Sequence, residues 1–246
     1  MIKDNFDKLE RIKTIGDGRN GFIYLSKYNG NICTCKDFAT KEYIKLINDK
    51  MLKLIEYYKK DSSLVFPFKF LYNDLNDDYF DSYLTEYKDG YKDLYEFYNL
   101  DYKEKVRILK KIRVLIQEMH EVYEVIHTDF YDNNIMYNKD LDSVCIIDFD
   151  SYIDINSKEG YLGSEMNFLS RKYIENTGID QSVDIFMFNL LCYSFLNNVD
   201  FYNVINYIYK DEYGVLTDNR IINVLKSYKF FDCRRKVKKE YILDYI

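Results

Sequence analysis

Three glycines fall within six residues in Gly16-Asp17-Gly18-Arg19-Asn20-Gly21. A turn of this kind can lay backbone N–H groups over phosphates, or it can be a plain glycine-rich turn. Lys36, fifteen residues past Gly21, can neutralise phosphate oxygens, although an exposed strand lysine is the commoner reading of any single one. The stretch 125–136 reads VIHTDFYDNNIM, in which His127, Asp129 and Asn134 form H-x-D-x-x-x-x-N. Nineteen residues after Asp129 comes Asp148, within IIDFD. Asn134 and Asp148 offer two oxygen ligands on loops flanking a short hairpin, a set suited to a hard cation such as magnesium bridging phosphates. Asp129 is then free to orient and deprotonate a hydroxyl.

These residues need elements to carry them. Residues 9–38 alternate as short strands with an Asn29-Gly30 turn, which predicts a three-stranded antiparallel sheet. The segment after Gly21, residues 22–27, alternates like a strand and not a helix, so the glycine run is a hairpin and not the opening of a dinucleotide fold. Ile44, Ile47, Met51, Leu54, Ile55 and Tyr58 recur at helical spacing and predict an amphipathic helix over 40–60, followed by strands near 66–71 and 79–86. Val106, Leu109, Ile112, Leu115, Ile116, Met119 and Val122 predict a long helix. Residues 145–147 read as a buried strand and 185–196 as a helix apolar nearly all round. The simplest architecture is α+β: one domain over 1–246, with a sheet-rich lobe over 1–85, a link at 86–90 and a helical lobe over 91–246.

The 246 residues carry 35 Lys and Arg against 41 Asp and Glu, a net charge of -6 that gives no global attraction for nucleic acid or an anionic membrane. Cys33, Cys35, Cys145, Cys192 and Cys233 lack the spacing of a zinc site. The opening MIKDNFDKLE has no apolar core of a signal peptide, and 185–196 is too short to span a bilayer. A reduced, soluble, cytoplasmic protein is the expectation.

Taken in order, the glycine hairpin, strand Lys36, a helix with an acidic residue, LTEYKDG, HTDFYDNN and DFD resemble the protein kinases and their kinase-like relatives over about residues 12–196. The run from Ser182 to Phe186 looks like the start of the family's buried helix, whose aspartate, here Asp184, ties down the catalytic loop. The resemblance implies a bilobal fold that binds ATP and magnesium. Gly16, Gly18 and Gly21 would cover the nucleotide and Ile23 would lie against the adenine. Lys36 would bind the nonterminal phosphates, with Glu56 holding it; Glu42 is the alternative, and a solvated helix face remains open for both. Thr85 would sit behind the adenine, and the backbone of Glu86 and Lys88 would read its edge. Asp129 would be the catalytic base and Asn134 and Asp148 the metal ligands. His127 resembles a packing residue that braces Asp148 and Phe149, and His120 reads as a helix-terminus residue.

The sequence also departs from the family. Thr128 replaces the arginine that gathers a phosphorylated activation loop, so regulation by that phosphorylation is not expected. Tyr131 stands where protein-phosphorylating members commonly have lysine, and Asp150 replaces the glycine of D-F-G, where it could assist magnesium or alter the loop. No clear A-P-E occurs within 160–174. The basic stretch 234–239 reads as a solvated helix end or a partner contact. The leading expectation is a kinase acting on protein Ser or Thr hydroxyls. The alternatives are a small-molecule kinase of the aminoglycoside, choline or spore-coat kind, acting on a small hydroxyl substrate, and a nucleotide-binding pseudokinase. Neither nucleic acid nor membrane is expected as a partner, and oligomeric state is not legible. Every one of these readings requires Lys36 and Asp148 to meet.

Overall fold

A computed structural model of the chain describes residues 3–18, 20–156, 168–212, 236 and 241–245. It resolves into two compact units, one of Met1–Gly90 with Asp148–Asp150, the other of Tyr91–Ile147 with Ser151–Ile246.

The first unit is built on a five-stranded antiparallel sheet. Its strands are β1 (Leu9–Gly18), β2 (Gly21–Tyr28), β3 (Asn31–Phe38), β4 (Lys69–Leu71) and β5 (Ser82–Glu86), in the order β1-β2-β3-β5-β4. Asn29 and Gly30 both take positive φ, 50° and 79°, which is what a two-residue hairpin turn needs to follow the twist of its strands. Residues directly opposite in an antiparallel ladder project to the same side. The register Gly16↔Ile23↔Lys36↔Tyr83↔Phe70 therefore lines up one row across one face, and Thr34↔Thr85 lies two residues along it. The other face carries an apolar cluster of Tyr28, Cys33, Cys35, Leu71 and Leu84, flanked by Phe6, Leu9, Tyr24 and Phe68.

Helix α1 (Lys41–Leu54) starts where Thr40 accepts a hydrogen bond from the Tyr43 N–H at 3.3 Å, and it buries Tyr43, Ile44, Ile47, Asn48, Met51 and Leu54. It ends before the expected Lys60. Ile55–Tyr57 is a 3-10 turn and Tyr58 leaves helical geometry at ψ 127°. The tyrosine pair accounts for this: Tyr57 packs on Phe66 at 5.7 Å and Tyr58 on Phe68 at 5.5 Å, contacts that draw the chain off the helix axis.

The second unit contains β6 (Lys92–Asp93), α2 (Tyr102–Glu121), β7 (Val125–Ile126), β8 (Ile135–Asn138), β9 (Ser143–Ile146), β10 (Ile153–Asp154), α3 (Phe168–Thr177), α4 (Ser182–Asn197) and α5 (Phe201–Glu212). Strands β6, β8 and β9 form one small sheet and β10 with β7 another. Asp101 caps α2 by accepting from the Glu104 N–H at 2.9 Å. Its apolar stripe buries Ile108, Leu109, Ile112, Leu115, Ile116 and Met119, while Val122, expected on that stripe, is the exposed C-cap. Helix α4 is buried nearly all round, as its composition predicts, and packs against α2, α3 and α5. Cys33, Cys35, Cys145 and Cys192 are buried and outside any disulfide. Cys233 and the basic stretch 234–239 lie outside the described residues, except Lys236, which pairs with Asp180. Among the described residues no helix is long and apolar enough to cross a membrane.

Candidate active site

In the first unit Lys36 and Asp148 meet. The Lys36 ammonium donates to Asp148 Oδ1 at 2.6 Å and Oδ2 at 2.8 Å, and to Asp150 Oδ2 at 2.8 Å. Tyr83, next to Lys36 on the sheet row, donates its hydroxyl to Asp148 Oδ1 at 3.2 Å. Burial disfavours a charged lysine, but the two carboxylates outweigh it and raise the Lys36 pKa, so the amine stays protonated. Burial, reinforced by the Asp148 charge, pushes the Asp150 carboxyl upward against the pull of Lys36. Tyr83 is likewise raised well above the ordinary tyrosine range, by burial and then by Asp148, and remains a donor. Phe149, between the two aspartates, is anchored on Phe66 at 4.5 Å.

The glycine run is a hairpin, Gly18 pairing with Gly21 across Arg19-Asn20, with Arg19 outside the described residues. Gly21 is set by its neighbours: at φ +155° an added Cβ would fall 1.8 Å from the Asp37 carbonyl oxygen. At Gly16 and Gly18 the nearest atoms to such a Cβ are 3.4 and 3.7 Å away, ordinary contact, so those two leave the hairpin slim without being sterically required. Gly21→Ala is expected to destabilise the protein by about 2 kcal/mol or more, from strain plus overpacking. Thermal melts of the variant beside Gly18→Ala check this, and equal melting temperatures would refute it.

Ile23 and Thr85 lie on the same sheet face as Lys36, both half-buried. The side chains of Glu86 and Lys88 pair with each other at 2.8 Å. Glu86 also accepts from the Tyr58 hydroxyl and the Asp61 N–H, each at 3.0 Å. These side chains are thus engaged within the first unit.

Glu56 requires a correction. It is exposed in the 3-10 turn, Glu42 is exposed at the start of α1, and Lys36 gives its hydrogen bonds to Asp148 and Asp150 instead. The early end of α1 is the physical reason for Glu56, since a helical phase carried on to Lys60 would have placed it differently.

In the second unit the loop between β7 and β8 carries Asp129 and Asn134. Asn134 donates its amide nitrogen to the Asp129 backbone oxygen at 2.9 Å and to Asp129 Oδ2 at 3.0 Å. The Asn134 amide oxygen is the donor type that a hard cation takes. Among the described residues no group of three or more His, Cys, Asp or Glu is placed to hold a metal. Asn134 and Asp148 each carry an oxygen of the type that magnesium takes.

Asp184, fully buried at the start of α4, holds this loop. It accepts from the His127 N–H at 2.9 Å, the Thr128 N–H at 3.1 Å and His120 Nε2 at 2.9 Å. Thr128 sits at φ +61°, a costly conformation for a β-branched residue, and its hydroxyl donates to the Ser151 carbonyl at 2.8 Å. His127 is buried and places Nε2 2.8 Å from the Ile147 carbonyl, a packing role one residue before the aspartate it was expected to brace. His120 is more than a helix-terminus residue, and its spacing of four from Ile116 on the buried stripe was the available signal. Tyr131 is half-buried with its ring against Phe201 at 5.8 Å. The Lys36–Asp150 pair was missed, although the exchange of glycine for aspartate in the DFD triplet marked the position.

The family model described as "Protein kinase domain" matches residues 9–237. Among solved structures, the Cydia pomonella granulovirus kinase PK-1 is similar, with a TM-score of 0.61 at 16% identity, over 79% of this chain and 70% of that one. At that identity the likeness speaks for the fold. No curated protein matches the chain.

Proposed function

The chain belongs to the protein kinase domain family and is a phosphotransferase, and from that premise we propose that it moves the terminal phosphoryl group of ATP, with magnesium, to a Ser or Thr hydroxyl of a protein. The observation that carries the reading is the contact of Lys36 with Asp148, 112 residues apart in sequence and 2.6 Å apart in space. Lys36 neutralises nonterminal phosphate oxygens, while Gly16, Gly18 and Gly21 cover them and Ile23 and Thr85 border the adenine. Asn134 and Asp148 would each offer an oxygen to magnesium, which when bound would screen charge on the phosphates. Asp129 aligns the acceptor hydroxyl and takes its proton, its own orientation set by Asn134.

A small-molecule hydroxyl is the second reading. Tyr131 favours it, because a tyrosine against Phe201 supplies none of the cationic charge that protein-phosphorylating members commonly bring to that position.

Incubation of the protein with ATP, magnesium and a cell lysate, followed by mass spectrometry of phosphopeptides, tests the proposal; new phosphoserine or phosphothreonine is the expected result. Label transferred only to sugars, amino alcohols or aminoglycosides would move the assignment to the second reading. ATP with magnesium is also expected to raise the melting temperature, since a ligand bound only by the native state stabilises it. Asp148→Ala should abolish the magnesium-dependent part of that rise. A rise that is the same in both proteins would remove Asp148 from the metal.

A further inference from the structure

We infer that Asp150 is the positioning residue for Lys36, taking the part that the family resemblance assigns to a helix glutamate; this rests on the kinase reading above. Three observations converge on it.

The contact is short and enclosed. Lys36 Nζ lies 2.8 Å from Asp150 Oδ2, with the two side chains 8% and 5% exposed. A pair withdrawn from water is screened little and fixes both partners, whereas either one left alone would be a buried uncompensated charge.

Helix α1 offers no rival. Its acidic residues, Glu42 and Asp49, are both exposed, as is Glu56 just beyond it. What α1 brings to the cluster is Tyr43, whose phenol is kept protonated by burial and by the Asp150 charge, and Lys50, whose amine burial pushes down to about 8 against the pull of Asp150. Neither is a carboxylate that could hold Lys36.

Asp148 cannot serve alone. It holds Lys36 through both oxygens here, but as a magnesium ligand it must give oxygen to the cation. With the cation bound, Asp150 would keep the ammonium in place while Asp148 gave an oxygen to the metal. With glycine at position 150, as in D-F-G, no side chain would be present to do so. Placement of Lys36 therefore depends on the segment Asp148–Asp150, anchored by Phe149 on Phe66, and not on a carboxylate carried by α1.

The test is a double-mutant cycle in the full chain with Asp150→Asn, Lys36→Met and both together. It reads kcat, KM for ATP, the magnesium half-saturation and the melting shift given by ADP. Asp150→Asn is expected to lower kcat/KM by on the order of tenfold to a hundredfold, the range for losing a partner that orients a working group. In the Lys36→Met background the same change should cost less than about twofold, because the residue it orients is gone. The ADP shift should show the same loss of effect. If Asp150→Asn does not fold, Asp150→Gly enters the same cycle.

Losses that multiply independently would overturn the proposal. So would a raised magnesium requirement that persists without Lys36, which would make Asp150 a metal ligand, or a larger loss from Glu56→Gln than from Asp150→Asn. A wild type that neither binds ATP nor transfers phosphate would remove the kinase reading and this proposal together. An active wild type matched by Asp150→Asn would remove this proposal alone.

Discussion

Asp129→Ala is expected to lower kcat by roughly a hundredfold to ten-thousandfold, the span for removing a general base, while ATP affinity stays nearly unchanged. The separation follows from where the residue sits. Asp129 belongs to the second compact unit, and Lys36, Asp148 and Asp150, the residues proposed to serve the phosphates and their metal, group with the first. The loop that carries Asp129 keeps its main support without the carboxylate, because Asp184 holds the backbone of His127 and Thr128 and Asn134 still bonds the residue-129 carbonyl. The variant should therefore fold and bind nucleotide but fail to align and deprotonate the acceptor. Steady-state transfer measured beside the ATP-induced melting shift checks both halves. A kcat within twofold of wild type would dismiss Asp129 as the base, and a lost melting shift would place it among the nucleotide-binding residues instead.

Asp184→Ala has the larger expected effect on stability, about 3–5 kcal/mol. One fully buried carboxylate satisfies two backbone N–H groups and the ring of His120. Removing it orphans donors that are buried from solvent, and each such donor carries a desolvation cost. Thr128, held at φ +61° partly by this bond, would also be free to relax, so the loop that positions Asp129 should loosen. Urea titrations followed by circular dichroism measure the loss, and transfer activity should fall with it. Asp184→Asn keeps one acceptor oxygen and should lie between the two. A variant within about 1 kcal/mol of wild type would show that other contacts carry the loop.

Much of the site is written in local spacing. Glycines at 16, 18 and 21, the Asn29-Gly30 turn and the alternation of residues 22–27 are enough to define a hairpin, because turn chemistry and strand period act over a few residues. The loop from His127 to Asn134 and the near-uniform apolarity of α4 are legible for the same reason. Helix α1 is legible in its start and not in its end. Thr40 is a local signal, but the termination depends on Tyr57 and Tyr58 meeting Phe66 and Phe68 from another segment. His120 lost its apparent role at the helix terminus because a carboxylate 64 residues away lies beside it.

The order and spacing of its amino acids alone determined the family of this chain and its α+β class, and singled out the side chains proposed for phosphoryl transfer. Only the tertiary structure decided which carboxylates Lys36 takes. A helix period says which residues share a face, but the partner of a buried cation is chosen by whichever acid folding leaves within 3 Å and out of water. Here that choice fell on Asp148 and Asp150, and left Glu42 and Glu56 exposed.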